Sequence, residues 1–184
     1  MLILVADDES IIRLGLKSML QDMGHEVIAA TNGREALRLA EQHRPDLAIL
    51  DIKMPYTDGL QAARTLARSN PLPILLLTAY SEADLVERAA DLPIQGYLVK
   101  PIKFEELRAA IVVARKRFEE TQMLAERATR LEHDLATRKL LDRAKGKLMA
   151  SGLSEEEAYR RIQDDARRNR QTMAEAAESI LRKI

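Results

Sequence analysis

The chain has 184 residues with 29 basic and 29 acidic side chains, no cysteine and no tryptophan. This length fits one large domain or two small ones, and zero net charge argues against a uniformly basic nucleic-acid binder. The missing cysteines exclude disulfides, thiolate zinc sites and a cysteine nucleophile. The first apolar run stops at Asp7, too early for a signal peptide or a membrane span, so we expect a soluble cytoplasmic protein with no membrane partner.

The charges are unevenly distributed along the chain. Residues 1–120 carry 15 basic and 18 acidic side chains, a net of −3, whereas residues 121–184 carry 14 and 11, a net of +3. The residue pattern changes near the same point. We therefore interpret the chain as two modules.

Short aliphatic runs alternate with longer amphipathic ones over the first 103 residues. Such short runs are typical of strands that are buried on both faces of a parallel sheet. They lie at residues 2–6, 26–30, 46–50, 73–78 and 94–99. The segments between them predict helices at 10–22, 33–43, 58–69 and 82–91, with N-caps at Ser10, Asn32 and Ser81. This alternation predicts an α/β fold with a doubly wound, five-stranded parallel sheet.

Helical periodicity continues without a strand signal after Phe104. Residues 104–150 favour one long helix. An apolar heptad seam runs along it at Leu107, Ile111, Ala114, Phe118 and Thr121, and resumes at Leu124, Ala128, Leu131 and Leu135. The seam leaves two interpretations open, an amphipathic helix that packs on its own protein and a dimeric coiled coil.

The end of the chain is predicted to be a small three-helix unit. Gly152 ends the long helical stretch. Ser154 and Glu157 have the spacing of a capping box at the start of a second helix. A third helix begins near Thr172.

Polar residues stand at the ends of several predicted strands. Asp7 and Asp8 follow the first strand, Asp51 follows the third, and Thr78 and Lys100 end the fourth and fifth. Because ligands of open parallel sheets bind at the carboxyl ends of the strands, we expect these groups to converge. Three carboxylates without histidine or cysteine suit Mg²⁺, and a carboxylate can accept a phosphoryl group. A hydroxyl and an ammonium at the same point would neutralise phosphoryl oxygens, so the pattern predicts that one of the aspartates accepts a phosphoryl group.

The same residues lie in motifs of a known family. ADDES at 6–10, LDIKMPYTDG at 50–59, LLTAYSE at 76–82 and YLVKP at 97–101 resemble the receiver domain of bacterial two-component response regulators. The resemblance covers residues 1–118. It implies a flavodoxin-like fold and phosphorylation of Asp51 by a histidine kinase.

The resemblance also implies a role for each site residue. The implied Mg²⁺ ligands are Asp7, Asp8, Asp51 and the backbone carbonyl of Lys53. The groups implied to contact the phosphoryl group are Thr78 and Lys100, and those implied to switch conformation on phosphorylation are Thr78 and Tyr97. The peptide bond between Lys100 and Pro101 is implied to be cis.

The tail resembles a second family. Residues 138–184 carry 12 basic and 8 acidic side chains, which supports a modest phosphate-binding surface. The run AKGKLM at 144–149, followed by Gly152, Ser154, Ala158, Tyr159, Ala166, Thr172, Met173, Ala176 and Ala177, resembles the ANTAR domain. This resemblance covers residues 130–184. Residues 104–140 would form a long connecting helix whose end overlaps this range.

The ANTAR resemblance implies binding to RNA stem-loops in nascent transcripts and transcription antitermination. The residues that we expect to contact RNA are Lys145, Arg167, Arg168, Arg143 and Arg170. Small residues are expected to let the helices pack closely, namely Ala144, Gly146, Ala158 and Ala176. Because two stem-loops would require two tails, a phosphorylation-dependent homodimer is a further hypothesis.

Two other functions stay open on the sequence alone. One is a response regulator whose tail binds DNA or a protein, although the last predicted helix is Ala-rich and acidic, which makes a poor major-groove reader. The other is a phosphatase with an Asp nucleophile, of the haloacid dehalogenase type. That chemistry requires a second Asp two residues after the nucleophile, whereas position 53 is Lys. We therefore expect a regulatory protein that does no more than transfer a phosphoryl group to Asp51 and slowly lose it.

Overall fold

A computed structural model describes residues 1–79 and 92–183 of the chain. It divides into two units, Met1–Thr121 and Gln122–Ile184. The helix predicted at 82–91 and its predicted cap Ser81 lie outside the described residues. Within the described ranges, none of the helices has the length and hydropathy that crossing a bilayer requires.

The first unit contains a five-stranded parallel sheet. Its strands are β1 (Leu2–Ala6), β2 (Glu26–Ala30), β3 (Leu47–Asp51), β4 (Ile74–Ala79) and β5 (Gly96–Lys100). They lie in the order β2-β1-β3-β4-β5, and every neighbouring pair is parallel. This order confirms the predicted doubly wound, flavodoxin-like fold. It places β1 beside β3 at the point where the strand order reverses, which is where such sheets bind their ligands.

Helices cover both faces of this sheet. Helices α1 (Ser10–Asp22), α2 (Gly33–His43) and α3 (Gly59–Ser69) follow the first three strands, and α4 (Phe104–Ala150) follows the fifth. The core on the α2 and α3 side includes Leu50, Leu76, Ala40 and Leu66. The core on the α1 and α4 side includes Ile49, Leu77, Leu16 and Leu107. Neighbouring residues of a strand point to opposite faces, and both faces of this sheet are covered. Ile49 and Leu50 are therefore both buried, and β3 is a continuous apolar run.

The strand β2 departs from the predicted burial. Glu26 and Ala29 are exposed, although the sequence predicted a strand that is buried on both faces. The reason is topological, since β2 stands at the edge of the sheet.

The N-caps were predicted with mixed success. Asn32 accepts a hydrogen bond from the Glu35 N–H and confirms the predicted cap of α2. The prediction for Ser10 was wrong, because the cap residue of α1 is Glu9. The Glu9 carbonyl accepts the first helical bond, from the Arg13 N–H, so Ser10 is already inside the helix.

The start of α3 lies against the end of β3. The Gly59 N–H donates to the Ile52 carbonyl at 2.9 Å. A Cβ on Gly59 would clash with the backbone carbonyl of Asp51. Position 59 therefore cannot carry a side chain unless Asp51 moves.

The helix α4 confirms the long helix that the sequence predicted, and the two parts of its apolar seam differ in burial. Leu107 and Ile111 are buried in the core of the first unit. Leu124 and Leu131 are 64% and 69% exposed. The first part of the seam therefore packs on its own protein, whereas the second part faces solvent in one chain.

The second unit is built from the end of α4 with α5 (Glu155–Asn169) and α6 (Met173–Lys183). Its core is rich in alanine and consists of Ala144, Leu148, Ala158, Ile162, Ala166, Ala176, Ala177 and Ile180. Such small side chains let helices approach closely. Gly146 does not have the expected packing role, because it is exposed and a Cβ there would meet nothing within 4 Å.

Both short helices of the second unit begin with a capping box. Ser154 and Glu157 exchange hydrogen bonds at the start of α5, as predicted. Thr172 and Glu175 form the same exchange at the start of α6, which the sequence analysis missed. Each box satisfies backbone N–H groups that a helix start leaves free.

We expect Gly59→Ala to lower the stability of the first unit by roughly 1–3 kcal/mol, because the new methyl group would overlap the Asp51 carbonyl. The control is Gly15→Ala in α1, where a Cβ meets nothing within 4 Å. That change is expected to stabilise the protein by about 0.5–1 kcal/mol, since alanine is the better helix former. Hydrogen exchange of the β3 amides measures both effects. Equal protection in the two variants would contradict the close approach at Gly59.

Candidate carboxylate site of the first unit

Three carboxylates converge at the carboxyl end of the sheet. Asp7 follows β1 and Asp51 ends β3, and both are buried, whereas Asp8 is exposed. The pairing of Ala6 with Leu50 sets the two strand ends side by side. One carboxylate oxygen from each of the three residues lies within 4.8 Å of the others. The strand order thus brings together the acidic residues that the sequence analysis expected to converge.

The ammonium group of Lys100 reaches this cluster from the end of β5. Its Nζ lies 2.7 Å from Asp7 Oδ2 and 3.0 Å from Asp51 Oδ1. It also lies 3.6 Å from Glu9 Oε1, a contact that the sequence analysis missed. The peptide bond from Lys100 to Pro101 is cis, as the resemblance implied. Residues from three separate parts of the sequence therefore form one ionic cluster.

Burial and charge shift the pKa values in this cluster. Burial raises the pKa of Asp51 to about 6, and the charges of Asp7 and Asp8 add to the rise while Lys100 opposes it. Burial acts to lower the pKa of Lys100, but the carboxylates of Asp7 and Asp51 outweigh it and raise the value. The negative charge of the cluster is thus only partly neutralised by Lys100.

The residues present fit a hard divalent cation such as Mg²⁺. Asp7 Oδ1 accepts the Glu9 N–H at 2.8 Å, whereas Oδ2 accepts no hydrogen bond of normal geometry within the described residues and has only its ion pair with Lys100. Asp7, Asp8 and Asp51 carry three negative charges against the one positive charge of Lys100. Carboxylate oxygens with a net negative charge are the donors that Mg²⁺ prefers.

A guanidinium group holds the loop that carries the acidic pair. Arg13 Nη1 donates to the backbone carbonyls of Asp7 and Asp8, at 2.7 Å and 2.9 Å. The sequence did not indicate Arg13, because an arginine in an amphipathic helix gives no signal of its own. These two hydrogen bonds hold the main chain from which both carboxylates extend.

The other predicted residues of the site surround the cluster. Thr78 is buried at the end of β4, and its hydroxyl donates to the Ala79 carbonyl at 3.1 Å. Lys53 lines a pocket of about 460 Å³ together with Asp8. Tyr97 lies on β5, two residues before the partner of Thr78, and is 54% exposed.

The predicted RNA contacts of the second unit fall into separate groups. Arg167, Arg168 and Arg170 are exposed at the end of α5. Lys145 instead lies near the start of α5, where its Nζ is 3.0 Å from Glu155 and 3.3 Å from Asp142. At 1.5 Å per residue, the two ends of α5 are about 20 Å apart, so these residues do not form one compact patch. Arg143 is exposed on α4.

Comparison with known proteins identifies both units. The sequence matches the family described as response regulator receiver domain over residues 3–112 and the ANTAR domain over residues 129–181. It is 45% identical over 181 residues to the transcriptional regulatory protein PdtaR of Mycobacterium tuberculosis, which covers 97% of this chain and 88% of PdtaR. The chain belongs to the response regulators that join a receiver domain to an ANTAR domain. This confirms the two resemblances found in the sequence.

Solved structures agree with the fold of the receiver domain. A response regulator receiver domain protein from Clostridium thermocellum has a TM-score of 0.61 and 32% identity, with 65% of this chain and 98% of that chain covered. NtrX from Brucella abortus has a TM-score of 0.63 and 26% identity, with 68% of this chain and 29% of that chain covered.

In the metal-free receiver domain, we expect the Asp51 carboxyl to titrate near pH 6, as its pKa of about 6 requires. Added Mg²⁺ should lower this pKa, since a cation stabilises the ionised form, and Lys100→Met should raise it by removing the opposing charge. Carboxyl carbon NMR measures the titration. The control is Lys103→Met, since Lys103 is exposed and pairs with Glu106. A value that stays unchanged in Lys100→Met would contradict the assigned coupling.

The raised pKa also predicts the sign of a stability change. A carboxyl that binds its proton more tightly when folded makes the folded state less stable as pH rises from about 4 to about 6. At pH 7 without Mg²⁺, Asp51→Asn should therefore be more stable than the wild type by roughly 1–3 kcal/mol. This difference should shrink below pH 6, which urea unfolding at several pH values would reveal.

Proposed function

We propose that a histidine kinase phosphorylates Asp51 and that this modification controls RNA binding by the ANTAR domain, which promotes transcription antitermination. The observation that carries the first half is the buried Asp51 carboxylate, which lies beside Lys100 and two further carboxylates. We take residues 1–118 as the receiver, 104–140 as the connecting helix and 130–184 as the ANTAR domain. These borders are consistent with the family matches over residues 3–112 and 129–181.

The proposed reaction begins with an ionised Asp51. One carboxylate oxygen forms a bond to the phosphorus of a phosphohistidine while the bond from phosphorus to the imidazole nitrogen breaks, so that neutral histidine leaves after taking up a proton. Mg²⁺, held by Asp7, Asp8, Asp51 and the Lys53 carbonyl, would supply positive charge to the phosphoryl oxygens. Lys100 and Thr78 are proposed to contact the same oxygens, since both already stand at the ends of neighbouring strands.

The phosphoryl group changes the charge that Lys100 balances. It adds about −1.5 to −2 charges next to a cluster that is already net negative. We expect Lys100 to turn from the Asp7 and Asp51 carboxylates towards the phosphoryl oxygens. Thr78 would rotate in the same direction, and Tyr97, now exposed, would turn inward beside it. This coupled movement is the proposed switch.

The exposed arginines at the end of α5 support RNA binding by the ANTAR domain. Arg167, Arg168 and Arg170 extend from one helix end, whereas the last helix, α6, presents the acidic Glu175 and Glu178. A helix with this composition does not suit the major groove of DNA. We expect the exposed α5 arginines to bind the phosphates of an RNA stem instead.

The exposed part of the α4 seam supports a homodimer. Leu124, Ala128, Leu131 and Leu135 occupy alternating core positions of two heptads and are exposed in one chain. In a parallel pair of such helices, Arg127 of one copy would face Glu132 of the other, and Asp134 would face Lys139, so both cross-chain pairs join opposite charges. Two heptads are too short for a stable coiled coil alone, so the dimer would need further contacts from the phosphorylated receiver.

Asp51 phosphorylation is tested by incubating the full chain with Mg²⁺ and a small phosphodonor such as acetyl phosphate. We expect a labile adduct of one phosphoryl group, detected by intact mass, which is absent in Asp51→Asn. Asp22→Asn, which changes an exposed carboxylate at the end of α1, should label like the wild type. An adduct that persists in Asp51→Asn would overturn the assignment.

RNA preference is tested by competition between structured RNA and duplex DNA at one salt concentration. We expect the protein to bind the structured RNA more tightly than the duplex DNA. The change of Arg167 and Arg168 to Gln should reduce the dependence of log K on log salt by about two, one for each lost phosphate contact. The matched control changes the exposed Arg115 and Lys116 of the receiver to Gln, which should leave the slope unchanged. Stronger binding to duplex DNA would favour the alternative of a DNA-binding tail.

The parallel dimer is tested by exchanging charges across it. Glu132→Arg would place two arginines opposite each other twice per dimer, which should raise the dimer Kd of the phosphodonor-treated protein roughly tenfold. The reciprocal exchange, Arg127→Glu with Glu132→Arg, should restore it. Analytical ultracentrifugation measures the Kd. A phosphorylated chain that stays monomeric, or an exchange that does not restore dimerisation, would contradict this arrangement.

A further inference from the structure

Beyond the arginines, the ANTAR domain contains a groove that the proposed function does not use. It lies between α4 and α5, has a volume of about 340 Å³ and is walled by Tyr159 on α5 and by Thr137, Arg138, Leu141 and Lys145 on α4. The α4 residues are spaced three and four apart, which puts them on one face of that helix. The volume is within the range of about 300–1,000 Å³ that ligand pockets have.

Tyr159 is an unusual residue to leave in such a groove. It is the sole aromatic side chain in residues 122–184 of the sequence. Its neighbour Ala158 and Ile162, one turn further on, are fully buried in the domain core, whereas Tyr159 is 46% exposed and lies outside that core. Nearly half of Tyr159 is therefore accessible to a ligand.

The wall opposite Tyr159 is held in place by ion pairs. Lys145 bridges from α4 to Glu155 in the first turn of α5 and also pairs with Asp142 on its own helix. The capping box of Ser154 and Glu157 fixes the same turn. Tyr159 follows Glu155 by one turn of α5. The ion pair and the capping box therefore hold the helix segment that carries the ring next to α4.

The charges of the groove favour a base over a phosphate. Arg138 and Lys145 are offset by Asp134 and Asp142, so the lining has no net charge. A phosphate would find a stronger field at the arginines near the other end of α5. A nucleobase instead has a flat face for Tyr159 and edge groups that exchange hydrogen bonds with Thr137, Arg138 and Asp142.

We propose that this groove binds one unpaired base of the RNA loop, stacked on Tyr159, while the α5 arginines bind the phosphates of the stem. This inference rests on the proposed function of RNA binding. It adds a point of sequence readout to the phosphate contacts that are proposed for the α5 arginines.

The test uses the full chain and one stem-loop RNA, selected from a pool with a randomised loop against the phosphodonor-treated wild type. Tyr159→Ala should weaken binding by about 5- to 150-fold, which is the range for loss of one base stacked on an aromatic ring. Tyr159→Phe keeps the ring and should bind within about threefold of the wild type. Met149→Ala removes an equally exposed side chain that does not line the groove, and it should have no effect.

A second readout separates stacking from a folding defect. Each loop base is replaced in turn by 2-aminopurine, whose fluorescence is quenched by stacking. We expect quenching at one position with the wild type and Tyr159→Phe, and none at that position with Tyr159→Ala. An abasic nucleotide at this position should weaken binding to the wild type but not to Tyr159→Ala.

The outcomes distinguish the two proposals. If no RNA is selected, RNA binding itself fails and the base site falls with it. If an RNA is selected but Tyr159→Ala binds it as tightly as the wild type and quenches the same base, only the base site is overturned. A protein partner would then be the alternative occupant of the groove. If Tyr159→Ala weakens wild-type and abasic RNA equally, the effect is not base stacking and the proposal is also overturned.

Discussion

The receiver domain depends on the ionic contact of Lys100 with Asp7 and Asp51. Its three side chains come from three different strands, and the contact forms because the strand order brings those strand ends to one edge of the sheet. Lys100 neutralises only part of the charge of Asp7, Asp8 and Asp51. Burial raises the pKa of Asp51, the charges of Asp7 and Asp8 add to the rise, and the remaining negative charge suits the site to a divalent cation. The proposed phosphorylation would add further negative charge to this cluster.

The backbone around the cluster is held by close contacts and hydrogen bonds. Gly59 packs against the carbonyl of Asp51, and Arg13 holds the carbonyls of Asp7 and Asp8. Two main-chain segments thus keep the acidic groups in place. In the proposed switch, the parts that move are side chains around them, namely Lys100 and Thr78.

The ANTAR domain is held together by a small, alanine-rich core. It has few residues, so it builds its core from alanines that let three helices pack closely. At its surface, the capping boxes hold the helix starts, and Lys145 joins α4 to the first turn of α5 through Glu155. The zero net charge of the chain is therefore the sum of an acidic receiver and a slightly basic tail. The proposed RNA binding would depend on the local charge of the second domain and not on the total.

The sequence alone determined most of the strands and helices and the strand-end residues that converge in the carboxylate cluster. Continuous apolar runs, strand-end carboxylates and the Ser154 capping box are local signals, because each follows from the chemistry of adjacent residues. Only the tertiary structure showed that Glu9 and Arg13 belong to the site, that β2 is half exposed and that Lys145 is engaged by two carboxylates. It also separated the two parts of the α4 seam, which look alike in the sequence. Leu107 meets a sheet and Leu131 does not, and such burial depends on what the rest of the chain places beside a helix.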